Sequence, residues 1–546
     1  MAIAHLGIID WLIIIIYFVF VLGIGFHLKK QVKSSKDFFL AGRKNSAWLA
    51  GLAFLSANMG ALELLGMSGQ SYKYGVLTAH FYLIGAIPAM LFLGIFMMPF
   101  YYSSRIHSVP GYLELRFNEK TRTLNAIGFA VMTLLVSGIN LYAMALVLNA
   151  FVGWNMHICM WVSSLTIGCY IVLGGLGSAI YSEVLQFFLI WFGLLLAVFM
   201  GLADFGSIAA IKAHIASSYL HLWKNTATAT SNPMLINWFG IVAGLGFVLG
   251  FGYWTTDFLV VQRTFSAKDL RSAQMTPMIA SFFKMALPFI VIGAGLVALA
   301  LVSSNQIPPL KKPDDALLVL LHHYYPTGLL GLGVTALLAG FMSGQAGNVS
   351  AFNTVFTYDL YRHYIVKNAS DKHYVTVGKI VTILGILISI LTAYWAMSMP
   401  SIMEYMQALF TIVNAPLFAT ILLGMFWKRI NGAGAFWGLL VGMVTSATLF
   451  LLVRYKLLSA AVVAFDPNAS PMAVNFWRAI WVWIITFGLT IIISYLTSPP
   501  REENLTGLVC NKKMFPNYKN LPLYKRPAFW ATIALIILIV LNIIYW

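Results

Sequence analysis

Apolar residues run in blocks along the whole chain, each near the length that crosses a hydrocarbon core roughly 30 Å thick, with short polar stretches between them. Fourteen such blocks stand out, at about 9–28, 46–72, 79–102, 123–152, 157–175, 180–203, 236–261, 275–303, 328–360, 375–397, 402–426, 432–453, 475–496 and 528–546. They fill more than half of the 546 residues and leave loops too short for a second domain, so 1–546 is expected to be one integral membrane unit. The pattern predicts an all-α polytopic membrane protein with about 14 transmembrane helices. Although the first block resembles a signal peptide in length, residues 1–9 carry no Lys or Arg and Lys29, Lys30, Lys33 and Lys36 follow it. That polarity fits an uncleaved helix with its N-terminus outside.

Composition agrees with the pattern. Only 9% of residues are charged and 60% are hydrophobic, whereas soluble domains carry charge on about a quarter of their residues. Most enzymes are excluded on that ground. The formal charge of +17 would suggest nucleic acid in a soluble protein, but a bilayer supplies another reason for it, because Lys and Arg are retained in cytoplasmic loops. With the N-terminus outside, inside loops hold twenty-four of the 34 basic residues and outside loops eight, Lys284 and Lys379 falling within apolar blocks. The bias places both termini on the extracellular or periplasmic side of a plasma or inner membrane. Residues 497–527 form a basic inside loop suited to anionic lipid. Cys159, Cys169 and Cys510 are too far apart to suggest a metal site or disulfide framework. A bilayer, a small solute and no nucleic acid are the expected partners, for a monomer or weak homo-oligomer.

Ionisable residues inside spans are costly, so each is a candidate functional group. The second block reads Ser56-Ala57-Asn58-Met59-Gly60-Ala61-Leu62-Glu63, then Gly66-Met67-Ser68-Gly69-Gln70. Such a helix can unwind in mid-span and expose carbonyls to an ion or solute. The seventh block shows a similar weakness, Gly244, Gly246, Gly250 and Gly252 leading into Tyr253-Trp254-Thr255-Thr256-Asp257. Two glycine-weakened helices, each opening a block of five, are the mark of an inverted-repeat transporter; close helix packing through small residues is the competing use. In the ninth block Gly340, Ser343, Gly344 and Asn348 are again small, polar and central, and a Ser hydroxyl beside freed carbonyls suits sodium. Glu183, near the inner side, reads as an inner gate, a cation relay or a carboxylate at a helix N-terminus. Lys284 lies about two turns into its helix, where an inward polar contact is favoured over snorkelling. Gln407 is a polar amide in the eleventh block. With no metal cluster, nucleophile–base pair or phosphate loop in or beside the spans, no enzyme is expected.

Several of these segments resemble the sodium:solute symporter family, in particular its sodium-glucose cotransporter-like branch. Gly174-Gly175-Leu176 through Glu183 and Gln186 is similar to the family's fifth core helix, and Tyr253 to Asp257 with Val261-Gln262-Arg263 to its sixth. Phe356-Thr357-Tyr358-Asp359-Leu360-Tyr361 resembles the inner end of the eighth, and Gly424-Met425-Phe426-Trp427-Lys428-Arg429 with Gly434, Gly438 and Gly442 a further signature. The resemblance implies a LeuT-type fold of two inverted five-helix repeats, with 46–426 as the ten-helix core, 9–28 a peripheral first helix and 432–546 peripheral C-terminal helices. It implies Na+ as coupling ion, held by carbonyls of Ser56, Met59 and Gly340 and the Ser343 hydroxyl. A second hydroxyl of the family falls on Gly344, and Glu183 falls where an acidic residue assists a further cation in some members.

Matched positions in sugar-transporting members make Asn58, Lys284 and Gln407 candidate solute contacts and Tyr253 an inner cover. Glu63 replaces Gln or His there, and Tyr82 stands where an acidic residue is usual. The resemblance thus implies sodium-driven import of a small polar solute, a sugar or polyol first, by alternating access. Alternatives are an uncoupled channel or solute sensor on the same scaffold, and proton-coupled uptake of an amino acid or other organic solute.

Overall fold

The computed structural model describes residues 6–29, 34–399, 401–511 and 514–546. Lys30, Lys33, Lys512 and Lys513, four of the basic residues assigned to inside loops, lie outside the described residues. Among those described, helix is the only regular structure besides one isolated bridge between Asn45 and Ala267. Eleven helices are long and apolar enough to cross a membrane, and two bent pairs bring the number to 13.

In chain order these thirteen, with the shorter apolar helix Met156–Cys169 counted as a fourteenth in fifth place, are Ile8–Leu28; Ala47–Asn58 with Leu62–Ala79; Phe81–Ser103; Glu119–Val152; Met156–Cys169; Gly175–Phe205; Gly240–Thr256 with Phe258–Phe265; Leu270–Ser303; Leu329–Tyr364; Asp371–Met397; Ile402–Phe426; Gly432–Arg454; Pro471–Leu496; and Pro527–Ile544. The fifth and sixth are two helices that meet at a kink at Gly175, with no loop between them. Gly175 has φ +58, and a Cβ there would meet the Phe38 carbonyl oxygen at 2.6 Å. Only glycine meets both demands. Phe38 itself belongs to a short inner helix, Ser35–Leu40, started by a reciprocal Ser34–Asp37 capping box.

Local sequence explains where spans begin. Asn118, Asp269, Ser370, Ser401, Asn431 and Ser470 each accept a hydrogen bond from a first-turn N–H of the helix that follows, satisfying donors that a helix start leaves open. Asp10 does this across elements: fully buried in the first span, its Oδ1 accepts from Gly328 and Gly331 N–H at 2.7 and 2.6 Å, at the start of the ninth. At the other end of a helix, Arg116 donates to the carbonyls of Gly424, Trp427 and Ile430 at 2.6, 3.0 and 3.0 Å and closes the C-terminus of the eleventh span. The Gly434, Gly438 and Gly442 stripe lies against Ser494, Thr490 and Thr486, where added Cβ atoms would strike those hydroxyls. This small-residue seam joins the twelfth and thirteenth spans.

Burial sorts the spans. The most apolar windows of the ninth, eleventh and fourth are 89%, 83% and 78% buried, those of the first, twelfth and fourteenth 28%, 22% and 17%. The inner group meets around the breaks in the second and seventh spans, so the polar residues at those breaks are surrounded by protein.

Candidate functional site

Both breaks have local causes. In the second span the helix stops at Asn58, Met59 takes ψ 43, and the two halves diverge by 61°. The seventh turns by 46° at Asp257, whose ψ of 117 is extended. Its carboxylate accepts from Leu259 N–H at 3.0 Å, capping the second half, and from Asn414 Nδ2 at 3.3 Å. Next to these breaks, Leu62–Gly66, Phe81–Ala86 and Gly240–Gly250 adopt wide π-type turns, a distortion concentrated at functional sites. A cavity of about 50 Å³ lies among them.

Its lining brings together every solute candidate: Asn58, Glu63, Tyr82, Tyr253, Lys284 and Gln407. Lys284 is 2% exposed. It donates to Asn58 Oδ1 at 2.6 Å and pairs with Glu63 Oε2 at 2.8 Å, with the rings of Tyr82 and Trp254 each 5.0 Å from its ammonium. Desolvation that would be prohibitive for either charge alone is offset by this pairing. The Tyr82 hydroxyl donates to the other Glu63 oxygen, and Asn58 Nδ2 donates to the Tyr253 hydroxyl at 2.9 Å. Glu63 and Asn58 are therefore largely committed. Among the described residues nothing accepts the Tyr253 proton, and the Gln407 amide has only the Met403 sulfur at 3.8 Å. These two groups are the most available to a polar solute.

The ion candidates assemble beside it. Ser56 Oγ and Ser343 Oγ are 3.1 Å apart and fully buried. A Cβ at Gly340 would meet the Met59 carbonyl oxygen at 2.7 Å, so that carbonyl faces the ninth span. Two hydroxyls and the Met59 carbonyl, neutral oxygens from two helices of which one is broken, thus form a small cradle. Gly344 lies against Gly60, and between them sits the carboxamide of Asn140, whose Oδ1 accepts from Ala61 N–H at 2.9 Å. Glu183 is not in this cradle. It is fully buried and paired with the equally buried Arg263, which also donates to the Leu259 carbonyl at 2.8 Å.

A second cavity, of about 30 Å³, touches Gly60, Asn140, Gly344, Asn348 and Asp257. Asn58 and Tyr253 line both cavities. Their hydrogen bond forms part of the wall between them.

Polar contacts close both ends of this region. At one end, Lys73 of the second span meets Glu404 of the eleventh at 2.7 Å, Tyr74 donates to the same carboxylate, and Gln70 donates to Ser401. The turn Pro313–Asp315 covers them, Asp314 Oδ2 accepting from Ile402 N–H at 2.9 Å. At the other end, Gln262 donates to the Phe39 carbonyl at 3.1 Å and to Thr354 at 2.9 Å, next to the Glu183–Arg263 pair. The sequence alone does not mark Asn140, Lys73, Glu404, Asp314 or Arg116 as parts of the site or its closures. Lys73 and Glu404 sit near span ends, where charge is ordinary, and Asn140 carries no charge to draw notice.

Residues 38–442 match the model of the sodium:solute symporter family. The sodium/glucose cotransporter of Vibrio parahaemolyticus is 27% identical over 476 residues, covering 83% of this chain and 86% of that protein. Sodium/myo-inositol cotransporter 2 of Oryctolagus cuniculus is 26% identical over 546 residues, covering 91% and 78%. In structure, the chain resembles a Na+-coupled sialic acid symporter in a substrate-bound outward-open state, with TM-score 0.75, 20% identity, and 91% and 99% of the two chains covered. A nucleobase-cation-symport-1 family transporter in a closed conformation aligns with TM-score 0.51 at 11% identity, covering 86% and 97%. Both likenesses give the LeuT-type fold.

Proposed function

The chain belongs to the sodium:solute symporter family, and on that premise we propose that the solute it carries with Na+ is a sugar or polyol. The observation that carries the proposal is the composition of the central cavity. Its charges cancel within the Glu63–Lys284 pair, leaving amide and phenol groups for neutral hydroxyls. A solute with one net charge would leave that charge unpaired there. The names of the sodium/glucose and sodium/myo-inositol cotransporters fit the same class.

In this reading Asn58, Glu63, Tyr82, Tyr253, Lys284 and Gln407 surround the solute. Ser56, Met59 and Gly340 give carbonyls and Ser343 a hydroxyl to sodium. Glu183 serves with Arg263 as an inner closure. Coupling follows from adjacency: Asn58 faces the solute and its neighbour Met59 the ion, on one break of one helix. Filling either site fixes the same turn and lowers the ordering cost of the other. The ten helices of 46–426 carry the cycle, the peripheral ones hold it in a plasma or inner membrane, both termini face outside, and one chain suffices.

A thermal-shift screen of the purified protein tests this directly. Sugars and polyols should stabilise it more with Na+ than with choline, by more than the sum of the separate shifts. Amino acids or carboxylates giving the sodium-dependent shift instead would overturn the solute class, and uptake that ignores sodium but collapses with the proton gradient would overturn the coupling ion.

A further inference from the structure

Asn140 stands where the two ion-site helices touch. Its carboxamide oxygen occupies the space that side chains would need at two facing glycines: a Cβ at Gly344 would meet it at 2.6 Å, and one at Gly60 would meet it closer still. Those positions are open to the amide only because both lack side chains. The orientation of the group is set by its bonds, Nδ2 donating to the Val136 carbonyl at 3.2 Å and Oδ1 accepting from Ala61 N–H at 2.9 Å. An amide oxygen has two lone pairs, so one remains available. Ser343, adjacent to Gly344 in the chain, holds its hydroxyl 3.1 Å from that of Ser56. The oxygen of Asn140 therefore lies beside the cradle, 5% of the residue is exposed, and it lines the 30 Å³ cavity that shares Asn58 and Tyr253 with the solute cavity.

Building on the sodium-coupled reading, we propose that Asn140 is an ion-binding residue: its carboxamide oxygen supplies from the fourth span the ligand that a hydroxyl at position 344 would supply from the ninth. Gly60 and Gly344 are the two vacated positions that let it reach. A residue that only capped the outer half of the second span, through Ala61, would have the same bonds but no effect on sodium.

The two roles separate in sodium titrations of the purified full-length protein in nanodiscs, with choline replacing Na+ at constant ionic strength, no solute, and the unfolding midpoint as readout. Asn140→Ala should raise the half-saturating sodium concentration at least about tenfold, the loss of one ion–dipole contact. In Asn140→Ala/Gly344→Ser, the alanine removes the nearest obstacle to a Cβ at 344, leaving a tight 3.0 Å approach to the Gly60 Cα, and the serine returns an oxygen. Half-saturation should come back to within about threefold of the wild type, whereas the sodium-free midpoint stays low because the cap is still missing. Asn140→Asp keeps the capping oxygen and adds charge, and should lower half-saturation at least about threefold; it decides the matter if the alanine variant does not fold. Unchanged half-saturation in both Asn140→Ala and Asn140→Asp, with Ser343→Ala losing the response, overturns the role of Asn140 and leaves the coupled reading intact. A wild type with no sodium response overturns both.

Discussion

Glu63 and Lys284 illustrate how one buried side chain depends on another. Removing either strands its partner in an apolar interior, which costs about 3–5 kcal/mol, while removing both together costs much less. Glu63→Gln should therefore lower the unfolding midpoint more than Glu63→Gln/Lys284→Met does, and differential scanning fluorimetry in detergent reads the difference. Asp314 makes a second case, outside the spans. Burial raises its carboxyl to about 7, so its docked form favours the proton. The stabilisation is complete below the ordinary value near 3.8, falls as pH rises toward 7, and is lost above it, by at most about 4 kcal/mol. Asp314→Asn keeps an acceptor for Ile402 N–H without a titrating charge. Its midpoint should gain on the wild type between pH 5 and pH 8; parallel pH profiles for the two would refute the assignment. Residues of this kind were legible to the degree that they violate their surroundings. Glu63 and Lys284 break apolar runs, whereas Asn140 blends into a long helix beside Ser137, and its partners at Gly60 and Gly344 are far away in the chain.

At the scale of elements, apolar block length located the spans well because a membrane-crossing helix must bury a fixed thickness. Between the fifth and sixth the break falls at Gly175, where the glycines place it, but the two helices meet at a kink with no loop between them. What selects glycine there, besides its positive φ, is the carbonyl of Phe38 on an element more than 130 positions upstream. Gly175→Ala should accordingly do more than lose the 1–3 kcal/mol or so of a backbone shape nearly confined to glycine. It must push the Ser35–Leu40 helix away, and faster protease cleavage near Lys36 is the expected sign. Arg116 shows the same dependence on distant chain. The Gly424-to-Arg429 segment was legible as a motif, but not that its carbonyls are held by a guanidinium from Val109–Arg116, the short helix before the fourth span. Arg116→Ala frees three carbonyls at once, and should raise amide exchange in residues 423–430 while leaving the thirteenth span unchanged.

For the molecule as a whole, the central cavity of about 50 Å³ is well below the ~300 Å³ at which ligand pockets begin, so admitting a sugar requires the second and eleventh spans to part. Lys73 and Glu404 hold that seam on the side that the proposed topology makes the outer one. Lys73→Ala should favour the parted form, so that a Met67→Cys reporter, with Cys159, Cys169 and Cys510 changed to Ser, reacts at least about threefold faster with an impermeant thiol reagent added outside. Equal rates would show the seam to be held elsewhere. The repeated pair of broken helices was visible in sequence because glycine and polar residues are rare in mid-span; the gates were not, since they join residues hundreds of positions apart.

The two ion pairs also determine what the membrane voltage can act on. Glu63 cancels Lys284 and Glu183 cancels Arg263, so when the broken helices rock, those pairs move as dipoles and carry almost no net charge through the field. A neutral cargo adds none. The electrical work, about 2.3 kcal/mol per 100 mV for each unit charge, then falls on sodium and on the carboxylate of Asp257, which is held by Leu259 N–H and Asn414 and by no cation among the described residues.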